Sequence, residues 1–270
     1  MPYVIRRWGS IWLACLVWSA SWGCVTGSTA GTPEAERSYR EFQLAASLRS
    51  EGHTAGAIEH LRKAIELDSN NGEAHLLLGF IQMERLAYLN AEEHLSTAIA
   101  ILEKQKQGGS PLAEARNIYG LCLIELERYE DAIVVLRESA TDELNTAPHL
   151  AWGNLGLAQF KLGEYQETVK STMEAVRIQP RFCVGYLTMG RALTRMELWG
   201  DAEHALTRAI DADASCKDSP QLQGAWRLRG EARAHLGHHQ DAVADLERCV
   251  ELGAYTNDGR MCQSLLEATQ

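Results

Sequence analysis

From residue 38 to about residue 250 the chain repeats itself. A small residue, most often Gly behind a large apolar one, is followed at helical spacing by Ala and Leu. The set returns after about 34 residues or slightly more. The first unit carries Gly52, Ala57, Leu61 and Ala64, and the second Leu78-Gly79, Ala91, Leu95 and Ala98. The third has Tyr119-Gly120, Ala132 and Leu136, and the fourth Leu155-Gly156, Gly163 and Ala175. The fifth has Met189-Gly190, Ala202, Leu206 and Ala209, and the sixth Gly230, Gly237, Ala242 and Leu246. A unit this short cannot bury its own apolar face, so successive units must stack. Gly and Ala stand where two helices of a hairpin approach closely, and larger apolar residues fill the space to the next hairpin. Gly52, Gly163, Gly200 and Gly237 are expected in the turns inside the hairpins, where a left-handed residue is useful. Two positions depart from the pattern: Arg229 replaces an apolar residue before Gly230, and Thr168 replaces Ala.

The pattern resembles the tetratricopeptide repeat (TPR), a helix-turn-helix unit of 34 residues. That implies an all-α fold, a right-handed TPR superhelix of six repeats over 38–256. A capping helix over 257–270 covers the last unit, as such arrays need for solubility. The polar stretches 103–111, 142–148 and 214–220 read as insertions between units.

The same fold places the cysteines. Cys183 begins the first helix of unit five, and Cys216 lies just past the end of its second helix. Antiparallel helices bring such ends together, so a bridge is admissible. Cys249 on the last repeat helix and Cys262 on the capping helix form a second admissible pair. Each pair is equally readable as two thiols. Cys122 stands where these repeats usually carry Ala and reads as a small core residue.

The first helices of a TPR array line a concave groove. Register puts Phe42, Leu76, Leu77, Phe80, Met83, Ile118, Leu121, Ile124, Leu157 and Phe160 on that side, all in units one to four. Phe80, Ile124 and Phe160 are the expected central contacts. The matching positions of units five and six hold Thr188, Arg191, Thr194, Arg195, Arg227, Glu231 and His235. The groove therefore reads as apolar at one end and polar, partly basic, at the other. It suits apolar side chains of an extended or helical partner segment better than a terminal carboxylate.

No nucleophile elbow, phosphate loop or dinucleotide fingerprint occurs. His235 and His239 are the nearest thing to a metal pair, but Gly237 between them marks a turn, so a solvated turn is the reading preferred over zinc. The expectation is a non-enzyme with no cofactor, no metal and no small-molecule substrate.

At the N-terminus "MPYVIRR" precedes an uncharged stretch that ends in small residues before Cys24, the layout of a bacterial export signal. The segment resembles a lipoprotein signal: residues 1–23 would be removed and Cys24 acylated, with a flexible tether over 24–37. Ser21-Trp22-Gly23 also suits an ordinary signal peptidase, which would leave Cys24 a plain thiol. The chain carries 26 Lys+Arg against 36 Asp+Glu, a net charge of −10. Losing Arg6 and Arg7 with the signal makes that −12. Such a charge argues against nucleic acid and against broad adhesion to anionic lipid.

Anchor and repeats together resemble the TPR lipoproteins of type IV pilus biogenesis, pilotins of the PilF, PilW and Tgl type. "GCVTGS" is similar to their processing site, and "AASLRSEGHTAGAIEHLRKAIELDSNNGEAH" to their first repeat. "YGLCLIELERYEDAIVVLRESATDEL" followed by "HLAWGNLGLAQFKLGEY" is similar to their third-to-fourth junction. The resemblance implies an outer-membrane lipoprotein facing the periplasm. It would bind secretin subunits of the pilus and promote their localisation and multimerisation, hence pilus-dependent motility. Two other classes stay open. One is a general envelope scaffold serving peptidoglycan hydrolases or outer-membrane protein assembly. The other is a periplasmic enzyme or enzyme accessory using His235 and His239.

Overall fold

The computed structural model describes residues 32–105 and 110–268. The expected signal peptide, Cys15, Cys24 and the first part of the tether lie outside the described residues. Among the described residues there are helices and no strand.

Helices come in antiparallel pairs. Unit one is α1 (Pro33–Ser50) with α2 (Thr54–Leu67), and unit two is α3 (Gly72–Glu84) with α4 (Tyr88–Lys104). Unit three is α5 (Ser110–Glu125) with α6 (Tyr129–Thr141), and unit four is α7 (Pro148–Leu162) with α8 (Tyr165–Ile178). Unit five is α9 (Cys183–Arg195) with α10 (Trp199–Asp211). A short helix α11 (Ala214–Lys217) lies in the insertion before unit six, which is α12 (Gln223–His235) with α13 (His239–Gly253). The last helix, α14 (Asn257–Ala268), packs on α13 and α12 as the expected cap.

Helix α1 starts earlier than the tether expectation allowed. Pro33 sits in its first turn, and the Thr32 hydroxyl accepts a hydrogen bond from the Ala35 amide at 3.2 Å. Proline pre-sets a helical φ where no amide donor is needed, and the threonine caps the free end. Residues 33–37 therefore belong to the solenoid.

In units two to six the hairpin closes through the contact that the repeated Gly permits, and in unit one buried Ala45 is the small residue on the first helix. A Cβ on Gly79 would stand 2.7 Å from Leu95 Cγ, and one on Gly190 would stand 2.5 Å from Leu206 Cγ. Both are below any normal contact, so the first helix can lie this close to the second only without a side chain. Leu95, Leu136, Leu206 and Leu246 are consequently among the least exposed large side chains. The cores of neighbouring units run together as a series of apolar clusters along the array, the largest spanning units five and six and the cap.

In units one, three, five and six a second contact ties the start of the first helix to the end of its partner. Ser38 Oγ donates to the Ala64 carbonyl at 2.7 Å, and Ser139 Oγ to the Ala113 carbonyl at 2.7 Å. Gln223 Nε2 donates to the Cys249 carbonyl at 2.7 Å. In unit five the same place is taken by a disulfide, Cys183–Cys216. A second disulfide, Cys249–Cys262, joins α13 to α14, while Cys122 is a buried free thiol.

The turns hold one left-handed residue per unit. Gly52, Gly163 and Gly237 take it at φ 83°, 85° and 80°. Leu86, Glu127 and Glu197 take it in the other three units at φ 59°, 60° and 60°. The expectation for Gly200 is corrected: it lies in the first turn of α10, and Glu197 carries the turn.

Candidate partner-binding groove

The first helices α1, α3 and α5 leave an open cavity of about 330 Å³ between them. Phe42 from α1, Leu76, Leu77 and Phe80 from α3, and Ile118 from α5 supply its apolar lining. Phe80 is half-buried and lies under the Arg49 guanidinium, 4.4 Å from ring centroid to Cζ. Arg49 is in turn held by Glu84 at 2.9 Å. A second cavity of about 310 Å³ shares Phe80, Glu114 and Ile118 and continues to the 145–147 turn and Leu150. The two make one apolar trough with charged edges at Arg49, Glu73 and Glu114.

Not every expected groove residue is there. Met83 and Leu157 are half-buried against the cores, as Phe80 is, but line neither cavity. Leu121 is half-buried outside both cavities. Ile124 is only 4 % exposed, inside the core that α5, α6 and α7 share, so it is a packing residue and not a contact surface. Phe80 stands one residue past its repeat glycine, Gly79, and Ile124 four past Gly120, so the two share a helix face one turn apart and the sequence pattern does not separate them. Arg49, Glu73, Pro111 and Leu150, which the sequence reading missed, border the trough. Arg49 carried a usable signal, since it lies on the first helix of unit one just past Phe42 and Ala46.

Phe160 belongs to a different cavity, of about 410 Å³, at the other end of the array. There α7, α9, α12 and α14 meet, and Arg191, Thr194, Arg195, Arg227 and Glu231 are its polar lining. Leu228 and Met261 complete it, and Met261 comes from the capping helix, which the register of the repeats does not reach. Arg227 is held by Asp258 of α14 at 2.6 Å and by Glu231 at 3.4 Å. Thr188 is buried, with its hydroxyl bonded to the Val184 carbonyl at 3.0 Å. His235 stacks flat on Trp199, ring centroids 3.9 Å apart, and among the described residues no group of three His, Cys, Asp or Glu is placed to hold a metal ion.

Behind this cavity the departure at Arg229 finds its reason. Its guanidinium is buried and makes paired hydrogen bonds to the Asp245 carboxylate. Arg233 reaches the same carboxylate at 2.9 Å and Glu203 at 2.8 Å. The Trp226 ring covers Arg229 with 4.9 Å from Cζ to centroid.

Stacked helix hairpins, a turn residue of fixed handedness in each, and a trough lined by the first helices define a TPR solenoid. Family models agree: the TPR repeat matches residues 46–84, and the tetratricopeptide repeat matches residues 149–182 and 187–256. The chain belongs to the tetratricopeptide-repeat proteins. It is similar to the type IV pilus assembly protein PilF of Pseudomonas aeruginosa, 29% identical over 168 residues, which cover 58% of this chain and 63% of that protein. It is also similar to the BBSome complex member BBS4 of Bos taurus, 26% identical over 246 residues, 79% of this chain and 46% of that one. The match thus spans less than two thirds of either curated relative. Among solved structures, PilW, described as a type IV pilus biogenesis factor, superposes with TM-score 0.70 at 20% identity, covering 84% of this chain and 98% of PilW. Pseudomonas aeruginosa PilF superposes with TM-score 0.70 at 20% identity, covering 86% of this chain and 99% of that one. At that identity the likeness is one of fold.

Proposed function

We propose that this chain is a pilotin: a lipid-anchored protein of the outer membrane that binds secretin subunits of the type IV pilus and promotes their assembly. The observation that carries the reading is the near end-to-end superposition on PilW and PilF, 98% and 99% of those chains, with the same solenoid. Repeats of this kind act as interaction scaffolds, so the role is binding and not chemistry. The apolar trough around Phe80 is the docking surface, where an extended or helical segment would bury apolar side chains. Acylated Cys24 supplies the membrane address, because several acyl chains at ~0.8 kcal/mol per buried CH₂ hold a protein stably.

The likeness to BBS4 over 79% of the chain favours a second reading, a general envelope scaffold, because it rests on the repeats alone. Membrane fractionation of wild type and Cys24→Ala, with a blot for heat-resistant secretin multimers, separates the two. The pilotin reading expects wild type in the outer membrane, release of the variant and fewer multimers. Multimers that persist in a full deletion contradict it and leave the scaffold.

A further inference from the structure

The cavity between units four and six differs from the apolar trough in charge. Arg191 on α9 is half-buried and makes no hydrogen bond or salt bridge to a described residue. Burial lowers the pKa of its guanidinium; Asp258 opposes that effect and Arg227 adds to it. Arg195, one turn further along the same face, is exposed and likewise unpaired. Two carboxylates, Asp258 and Glu231, are both committed to Arg227. Two of three guanidiniums are thus left without an ion pair, Arg191 feeling the Asp258 carboxylate only at longer range, in a chain whose net charge is −10. Charges withdrawn from water are ordinarily paired, and the cost of leaving one unpaired favours any anion that fits.

The rest of the lining is apolar: Phe160, Leu228 and Met261. A guanidinium presents a planar fork of donors that matches a carboxylate. We propose that this pocket takes the carboxylate of an aspartate or glutamate from an extended segment of the partner, with a neighbouring aromatic or aliphatic side chain against Phe160 and Met261. An anionic membrane surface fits less well, because the positive surplus is confined to one pocket of an acidic molecule. The inference rests on the first-helix face being the partner face and is independent of who the partner is.

The test is an amide NMR titration of the mature chain at low salt with two probes, Ac-Phe-Ala-Ala-Glu-Ala-NH2 and its Gln counterpart. The Glu peptide should shift the amides of Arg191, Thr194, Arg195 and Arg227 and bind at least about ten-fold tighter than the Gln peptide. Arg191→Gln should remove that preference. Arg195→Gln, at an exposed site where folding is not at stake, should reduce it. Equal binding of the two probes, binding of neither, or shifts confined to the Phe80 trough overturn the proposal. So does retention of wild type, but not Arg191→Gln, on phosphatidylglycerol vesicles. A secretin peptide that binds at Phe80 while neither probe binds here overturns this inference and leaves the pilotin reading standing.

Discussion

Arg229 and Asp245 face each other across unit six with two hydrogen bonds, Nε to Oδ2 at 2.8 Å and Nη2 to Oδ1 at 2.7 Å. Both side chains are almost wholly buried, 8% and 3% exposed. In such a pair the damage comes from removing one partner, not from replacing both. Asp245→Ala should destabilise the protein by about 3–5 kcal/mol in urea unfolding, while Arg229→Met with Asp245→Leu should recover most of the loss. A double variant no better than the single one would show that the pair is needed as a pair.

Leu86 carries a left-handed backbone at φ 59° with its side chain 70% exposed. The strain of that conformation in a non-glycine residue is of order 1 kcal/mol, and little packing offsets it. Leu86→Gly should raise the unfolding free energy by roughly that amount, read as a higher urea midpoint at unchanged slope. Gly163→Ala, at φ 85°, should lower it.

Phe80 and Ile124 should separate in mutagenesis although the sequence treats them alike. Phe80→Asp leaves its charge at the open trough and should keep circular dichroism and melting near wild type. Ile124→Asp puts a carboxylate in the core and should cost several kcal/mol. Similar melting losses for both would show that Phe80 is packing too.

His75 and His94 meet at 3.2 Å between their Nδ1 atoms. Burial lowers both pKa values, and for His75 the charge of His94 adds to this; Glu93 opposes it in both. A histidine with a depressed folded pKa binds protons more readily unfolded, so stability is full above the ordinary value of 6.5 and falls as pH drops below it. The urea midpoint should therefore decline from pH 7 to pH 5, and His94→Gln should flatten that decline. An unchanged slope in the variant would remove the pair from the account.

The Cys249–Cys262 bridge fixes α14, which supplies Asp258 and Met261 to the basic pocket. Closing so short a loop is worth about 3 kcal/mol in the chain-entropy account. Cys249→Ser with Cys262→Ser should lower stability by that order and speed amide exchange in α14 ahead of the rest. Uniform exchange would show that apolar packing alone holds the cap.

The repeat was legible because its signal is a steric necessity: Gly79 must face Leu95, and Gly190 must face Leu206. The same register made both cysteine pairs admissible, since it sets Cys183 near Cys216, but it left thiols equally open, and only the folded chain shows the bridges. The turns were only half legible. A rule that seeks glycine finds Gly52 but passes over Leu86 and Glu127, and it is drawn to Gly200, three residues past Glu197. Groove and core positions on a first helix differ by a small rotation, which a register cannot express; hence Phe80 lines the trough and Ile124 does not. Arg229 stood out as an anomaly, but its partner lies on the facing helix and only the folded chain brings them together.

The most direct measurement of the central claim compares heat-resistant secretin multimers in cells carrying wild type, Phe80→Asp or Leu89→Asp at equal protein levels. Leu89 is 73% exposed on the second helix of unit two and lies outside the trough. The account predicts normal multimers with Leu89→Asp and their loss with Phe80→Asp. Normal multimers with a stable, membrane-bound Phe80→Asp protein would contradict it.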